Sequence, residues 1–374
     1  MTAVRPLILV GTRPEAIKLA PVIAECSRHP REIDAEVCLT GQHRGLLTPF
    51  VDYFDIPVHH DLKAIRSRQN LSDLTARMLK RITKLLEEVK PDCVVGQGDT
   101  TTVMAGALAA FYLQIPFVHV EAGLRTYDPT QPWPEELNRR LVSVAASLHC
   151  APTPLAAEQL RAERVAAERI HVTGNTVVDA LLETVKREQG RARPWSKKHA
   201  QLGDRRMVLV TGHRRESLGA GLEAVCLAIR DLAERRPEVE FVYPVHLNPS
   251  VGETVNRVLS DLPNVHLLRP VAYPEFVWLM TRCHLILTDS GGIQEEAPSL
   301  RKPVLVTRNT TERTEALEGK AVELVGTDRA HIVEVVDGLL GDDVAYARRQ
   351  ADENPYGDGR AAERIVRLIR SRTW

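Results

Sequence analysis

PLILVGTRPEAIKLAPVIAECSR, residues 6–28, begins as a short apolar run, turns at Gly11, and continues with apolar residues at helical spacing. The first part is long enough for a buried strand and too short for a helix, so the stretch predicts a strand followed by a helix. The same unit recurs. Apolar runs appear at AEVCLT (35–40), DCVVGQG (92–98), PFVHV (116–120) and RIHVTG (169–174), separated by segments of helical spacing such as TTVMAGALAAFYL. Strand and helix in alternation imply a parallel, doubly wound α/β sheet.

The alternation stops at KREQGRARPWSKKHAQLGDRR (186–206), a basic, polar stretch containing Gly190, Pro194 and Gly203, which marks the neighbourhood of a domain boundary. A second series follows with MVLVTG (207–212), VEFVYPV (239–245), NVHLLRP (264–270), HLILTDS (284–290), PVLVTR (303–308) and AVELVG (321–326). Two similar sheets are expected, as the 374-residue length also suggests, because one core stops growing near ~250–300 residues. The chain ends in NPYGDGRAAERIVRLIR (354–370), where Gly357 and Gly359 precede a helix with Ala362, Ile365, Val366 and Ile369 on one side.

Composition removes several function classes. Apolar residues are 44% and charged residues 26%, the balance of an ordinary globular chain. Lysine plus arginine number 49 and aspartate plus glutamate 49, so no net field draws the chain to nucleic acid or an anionic bilayer. Cys26, Cys38, Cys93, Cys150, Cys226 and Cys283 are scattered without a C-x-x-C pair and predict reduced core thiols in a cytoplasm. No apolar run approaches the ~18 residues of a membrane span.

In such sheets ligands sit beyond the carboxyl ends of strands, where helix N-termini point outward. Four of these loops are chemically dense. GTRPEAIK (11–18) brackets a turn with Arg13 and Lys18, a phosphate grip or else a capped helix start with solvated cations. It lacks G-x-G-x-x-G, which argues against a dinucleotide cofactor. TGHRRES (211–217) places His213, Arg214 and Arg215 at the mouth of the second sheet, with Ser217 a candidate N-cap.

DSGGIQEEAPSLRKP (289–303) follows a buried strand with Ser290, Gly291 and Gly292, whose backbone N–H groups form a nest suited to a diphosphate, and with Glu296 one turn on, suited to two vicinal ribose hydroxyls. Pro298 predicts a short or kinked helix. The bland alternative is a glycine turn followed by dipole-compatible glutamates. The fourth group comprises Asp99 in GDTTT, Glu121 in HVEAGLRT and Glu135 in PWPEELNR, read as a proline-bounded loop before a helix. Carboxylates gathered above one sheet edge suit proton transfer, whereas scattered ones are caps and surface charge.

Taken together, GTRPEAIK, GQHRGLL, GDTTT, HVEAGLRT, PWPEELNR, TGNTVVDAL, TGHRRES, YPVHLNP, LTDSGGIQEEAPSL, TTERTEAL and NPYGDGR, running in order from residue 11 to 360, resemble the non-hydrolysing UDP-N-acetylglucosamine 2-epimerase family. The resemblance implies a glycosyltransferase-B-like fold of two Rossmann-like domains with a cleft between them. The expected divisions are 1–175, 176–355 and a final helical segment, 356–374, crossing back to the first domain. It further implies interconversion of UDP-N-acetylglucosamine and UDP-N-acetylmannosamine, with no nicotinamide and no required metal, in a homodimer. In bacteria such an activity serves surface-polysaccharide or teichoic-acid linkage synthesis.

By the same resemblance Asp99, Glu121 and Glu135 match the catalytic carboxylates, their roles undivided, and His213 joins them near the diphosphate. Arg13 and Lys18 match groups around the substrate. Ser290, Gly291, Gly292, Glu296 and Arg313 match UDP contacts, and Phe276 matches a uracil-packing residue. A second UDP-N-acetylglucosamine acts as an activator in many bacterial members, near positions matching Gln42, Arg68 and His246. Gly45 stands where those members carry a longer polar residue, and Val271 where some place a glutamine near the uracil. A hydrolysing epimerase, a retaining glycosyltransferase and a UDP-sugar sensor are the rival expectations.

Overall fold

The computed structural model describes residues 2–42, 44–65, 69–190, 192–212, 219–311 and 313–374. In chain order the elements of the first half are β1 (Pro6–Val10), α1 (Arg13–Ser27), β2 (Glu36–Leu39), α2 (Arg44–Tyr53), β3 (His60–Asp61), α3 (Leu71–Val89), β4 (Cys93–Gln97), α4 (Thr101–Tyr112), β5 (Phe117–Val120), α5 (Glu135–Ala145), β6 (Leu148–Ala151), α6 (Pro154–Ala162), β7 (Ile170–Val172), α7 (Thr176–Gln189) and α8 (Ala192–Lys198). Those of the second half are β8 (Met207–Thr211), α9 (Ala220–Arg235), β9 (Glu240–Pro244), α10 (Pro249–Leu259), β10 (Val265–Leu268), α11 (Tyr273–Arg282), β11 (Leu285–Thr288), α12 (Gly291–Glu296), β12 (Val304–Val306), α13 (Thr314–Glu318), β13 (Val322–Leu324), α14 (Arg329–Gly341), α15 (Asp343–Arg348) and α16 (Ala361–Arg370).

Among the described residues the strands form two parallel sheets, one of order β3-β2-β1-β4-β5-β6-β7 and one of order β10-β9-β8-β11-β12-β13. The expected pair of doubly wound sheets is therefore observed. The chain divides into two compact units, Met1–Ala180 with Tyr356–Trp374, and Leu181–Pro355, so that the division falls inside α7.

All five β1 residues are buried because both faces of the strand are covered. Ile8 and Val10 belong to one apolar cluster with Leu19, Val22 and Ile23 of α1, whereas Leu7 and Leu9 belong to another with Met78, Ile82 and Leu86 of α3. Alternate residues of a strand point to opposite faces, which is why PLILV reads as a continuous apolar run rather than an alternation.

Helix α16 contributes Ile365, Val366 and Ile369 to the α1 side of that core. Burial of three such side chains is worth on the order of 5 kcal/mol relative to exposure. Asp179 of α7 accepts the Ala361 and Ala362 N–H groups at 3.2 and 2.9 Å, which fixes where α16 begins.

The second sheet has the same logic. Val208 and Val210 of β8, Phe241 and Tyr243 of β9, and Leu285 and Leu287 of β11 share one cluster with α9, α10 and α14. After β11, α12 is only six residues long, and the chain tightens into a 3₁₀ turn over Ala297–Leu300 that contains Pro298. Among the described residues no helix is long and apolar enough to cross a membrane.

Candidate active site

Each sheet reverses its strand order once, between β1 and β4 in the first and between β8 and β11 in the second. Loops leaving the strands on either side of such a reversal diverge and leave a crevice at the carboxyl ends, where ligands bind in open α/β sheets. The β1 loop at Gly11 and the β4 loop at Gly98–Thr100 flank the first crevice. A side chain at Gly11 would meet the Thr102 hydroxyl at 2.0 Å, so the close approach of α4, more than the turn itself, requires glycine there.

Glu121 directly follows β5. It is 8% exposed and holds a left-handed backbone, φ 62°, a conformation that costs a non-glycine residue about 1 kcal/mol or more and persists where surrounding contacts impose it. Those contacts converge on its carboxylate. Lys18 Nζ reaches Oε1 at 2.5 Å, Asn175 Nδ2 donates to the same oxygen at 3.0 Å, and Gln97 Nε2 donates to Oε2. A buried carboxylate is tolerated when a cation and hydrogen-bond donors replace its water, and this one has both.

Asp99 lies on the neighbouring loop, after β4. Arg139 Nη2 of α5 pairs with its Oδ2 at 2.6 Å, and Asn138 Nδ2 of the same helix donates to its backbone carbonyl at 2.8 Å. Glu135 is the first residue of α5, one turn before that pair, rather than part of the loop expected from sequence. It is half-buried. The adjacent Glu136 is fully buried and accepts the Thr126 and Tyr127 N–H groups at 3.1 Å each, so it holds the preceding loop in place.

Behind these acids lies a layer that pattern reading did not single out. Glu15, 1% exposed, accepts N–H bonds from Gly11 at 2.5 Å and Thr12 at 3.2 Å, and the Thr100 hydroxyl at 2.5 Å. One carboxyl thus joins the β1 loop to the β4 loop. Burial pushes it up to about 7, against the lowering effect of its hydrogen bonds. His119 of β5 is buried and pushed down to about 4 by desolvation, so its ring is neutral. Its Nε2 faces the Gly98 carbonyl at 2.8 Å, and since a carbonyl only accepts, the proton sits on Nε2.

The second unit presents a different surface. Gly291 and Gly292 are the first two residues of α12, and Ser290, its N-cap, makes no side-chain capping bond. A Cβ at Gly291 would fall 2.6 Å from Arg313 Cζ, so the missing side chain is what lets the guanidinium lie over the start of the helix. Arg313 Nε donates to Glu295 at 3.0 Å, which orients it there. Glu296 Oε1 accepts the Tyr273 hydroxyl at 2.9 Å. Thr211 and Thr288, register partners at the ends of β8 and β11, join hydroxyls at 2.6 Å across the strand-order reversal.

The remaining sequence candidates are placed as follows. Arg13 is exposed, with its guanidinium carbon 6.0 Å from the Phe50 ring centre. Phe276 is half-buried on α11. Gln42 accepts the Thr102 N–H at 3.2 Å and hydroxyl at 2.9 Å, at the start of α4. His246 is exposed in the loop after β9, its Nδ1 accepting the Asn248 N–H at 3.1 Å. His213 and Arg68 lie outside the described residues. Among the described residues no group of three or more His, Cys, Asp or Glu side chains could hold a metal ion.

Gln97, Asn175, Arg139, Glu15 and Tyr273 are the functional candidates that sequence reasoning passed over. The first four sit inside a quoted motif or immediately beside one, whereas Tyr273 lies three residues beyond NVHLLRP. The available signal was a polar residue at the end of an apolar strand, Gln97 after CVVG and Asn175 after HVTG.

Comparison with known proteins agrees with this arrangement. The sequence profile of the UDP-N-acetylglucosamine 2-epimerase family matches residues 24–370. The UDP-N-acetylglucosamine 2-epimerase of Escherichia coli O157:H7 is 48% identical, over 98% of each chain. In structure the chain is similar to UDP-GlcNAc 2-epimerase from Neisseria meningitidis bound to UDP-GlcNAc, with TM-score 0.91 at 44% identity over 98% of this chain and 99% of that one. It is also similar to S. aureus MnaA in a co-structure with UDP, with TM-score 0.89 at 38% identity over 99% and 96%. The chain belongs to the UDP-N-acetylglucosamine 2-epimerase family.

Proposed function

We propose that this chain interconverts UDP-N-acetylglucosamine and UDP-N-acetylmannosamine by losing UDP from carbon 1 and adding it back. The carbon 2 hydrogen is not acidic beside an unoxidised carbon 1, so a free carbanion is an unfavourable intermediate. Removing that proton as the carbon 1–oxygen bond breaks leaves the flat 2-acetamidoglucal and UDP. Delivery of a proton to the opposite face, with UDP re-adding at carbon 1, gives the epimer. Electrons are conserved throughout, so the route calls for no redox cofactor.

The observation that carries the reading is the Glu121 carboxylate, buried in a left-handed backbone and held by Lys18, Gln97 and Asn175. With Asp99 and Glu135 it is assigned the proton chemistry and the stabilisation of positive charge developing at carbon 1. Lys18, Arg13 and His213 are assigned to the departing diphosphate. In the second unit Ser290, Gly291, Gly292 and Arg313 are assigned to the diphosphate, Glu296 to the ribose and Phe276 to the uracil. Gln42, Arg68 and His246 are assigned to a second, activating nucleotide sugar.

The active species is proposed to be a homodimer. Helix α5, packed on α4, exposes Leu137, Leu141 and Val144 along one stripe, and Phe111 and Tyr112 are exposed at the end of α4. An apolar patch of this kind on a folded chain calls for a cover, and a second copy is the assigned one. A Val144→Glu variant is expected to elute as a monomer in size-exclusion chromatography with light scattering. The six cysteines are free and buried, which fits a reducing cytoplasm.

The test is proton NMR of UDP-N-acetylglucosamine incubated with the protein in deuterated water. Both epimers should appear as UDP-sugars with deuterium at carbon 2. Release of free N-acetylmannosamine and UDP would replace the reading by hydrolysis, and epimerisation without deuterium would remove the proton-transfer route.

A further inference from the structure

We propose that Asn175 is a positioning residue for the Glu121 carboxylate, and that through it the C-terminal segment of the chain sets the geometry of the acid. The inference rests on the epimerase reading above and names a residue of that same site. Asn175 is 2% exposed in the turn between β7 and α7, and each of three groups has a defined partner. Its Nδ2 donates to Glu121 Oε1 at 3.0 Å, its Oδ1 accepts the Val177 N–H at 3.1 Å, and its backbone N–H donates to the Tyr356 carbonyl at 2.7 Å. Two hydrogen bonds therefore lead from the acid to the segment that precedes α16.

Neighbouring contacts fix that path. Gly174 holds φ 88°, a backbone that favours glycine, and lies in van der Waals contact with Gly357, and Asp179 anchors the two N–H groups at the start of α16. Lys18 contributes charge to the same Glu121 oxygen, but a single ammonium on a flexible stem does not define the plane of a carboxylate. The Asn175 amide and the Gln97 amide, one on each oxygen, do define it.

The chemistry of Asn175 allows its two side-chain roles to be separated. Asn175→Asp keeps the oxygen that caps Val177 and keeps the shape, while replacing the donor toward Glu121 with a second carboxylate. Two carboxylates at hydrogen-bond distance share a proton readily and repel when both are ionised, so lowering the pH restores an O–H donor between them. Other charged groups near this turn are Lys18 on α1, Asp179 on α7, pushed up to about 6 by burial, and Arg364 on α16, which donates to the Thr173 carbonyl.

The experiment measures carbon 2 deuterium exchange by the full chain between about pH 8 and pH 5.5, with thermal unfolding and UDP affinity as controls on the fold. Asn175→Asp is expected to exchange at least ~100-fold more slowly than the unaltered chain at about pH 8 and to regain at least tenfold of that relative loss at about pH 5.5, with UDP affinity unchanged. Asn175→Ser, which can still cap Val177 but is too short to reach Glu121, is expected to lose exchange without acid recovery, although Asp179 titrates in it as before. It also decides the matter if the Asp variant fails to fold. A folded variant of either kind that exchanges like the unaltered chain overturns the proposal and leaves the epimerase reading standing. So does an Asp variant whose loss is the same at every pH. If the unaltered chain itself gives no exchange, the reading of the reaction fails instead.

Discussion

The two strand-order reversals are built in opposite ways. Around the first, the charged groups are already answered within the protein: Glu121 by Lys18, Gln97 and Asn175, and Asp99 by Arg139. Around the second, side chains have been pared away. Two glycines open α12, its N-cap serine makes no capping bond, and a guanidinium lies where a Cβ would otherwise be. Proton transfer needs carboxylates fixed in place before the reaction, whereas a diphosphate needs backbone donors within reach. One fold, used twice, carries acids bound by several partners at one reversal and a glycine-opened helix start at the other, which is the contrast the proposed division of labour rests on.

The sharpest way to break the contrast is to unbalance the first region. Lys18→Met leaves the buried Glu121 charge without its cation, which costs about 3–5 kcal/mol of folding stability, and carbon 2 exchange by the folded protein is expected to fall ~10³-fold, as for loss of a group that tunes the proton-transfer acid. A fall of less than tenfold, read by NMR, would mean that the amides alone hold the acid. Glu15 offers the next effect. Its folded value of about 7 lies above the ordinary 4.5, so the folded chain keeps a proton that the unfolded chain releases, and stability falls as pH rises through that window.

Glu15→Gln mimics the protonated form, with an oxygen for the Gly11 and Thr12 N–H groups and an amide toward Thr100. Its unfolding free energy relative to the unaltered chain should therefore improve by on the order of 3 kcal/mol between about pH 4.5 and pH 8. A difference independent of pH, in thermal or urea unfolding, would show that Glu15 is not protonated in the folded state.

Smaller effects belong to the second region. Gly291→Ala displaces the end of a flexible arginine rather than backbone, so the fold should survive while UDP affinity drops roughly tenfold, as expected for one lost charge-assisted contact. Tyr273→Phe removes only the hydroxyl on Glu296 and should weaken UDP about fivefold, near 1 kcal/mol, by calorimetry. Were either change to slow exchange while leaving UDP affinity intact, the division between the two regions would dissolve.

The fold was largely legible because parallel strands declare themselves as apolar runs, most plainly where both faces are buried, and β1 and all six strands of the second sheet, including its half-buried edge strands β10 and β13, did so. Two strands of the first sheet did not. LHCA of β6 is four residues long with no β-branched member, and β3 is a two-residue edge pairing of His60 with Cys38 and of Asp61 with Leu39. Both depend on neighbours far away in sequence.

The site shows the same limit. Motifs put acids and glycines on the right loops, but the partners of Glu121 lie 54 and 103 residues away, at Asn175 and Lys18, and nothing local in either segment records the other. Glu15 was hidden in plain view within GTRPEAIK, because a glutamate in a first helical turn reads as dipole compensation until its burial is known.

The central claim is that proton chemistry belongs to the first unit's acids, whereas the uridine and the backbone grip on the diphosphate belong to the second unit. Glu121→Gln tests it most directly, with UDP affinity and carbon 2 deuterium exchange measured on the same preparation. The account predicts UDP affinity within about twofold of the unaltered chain and exchange reduced by ~10³-fold or more. Exchange that persists at the original rate, or UDP affinity that falls together with it, would contradict the account.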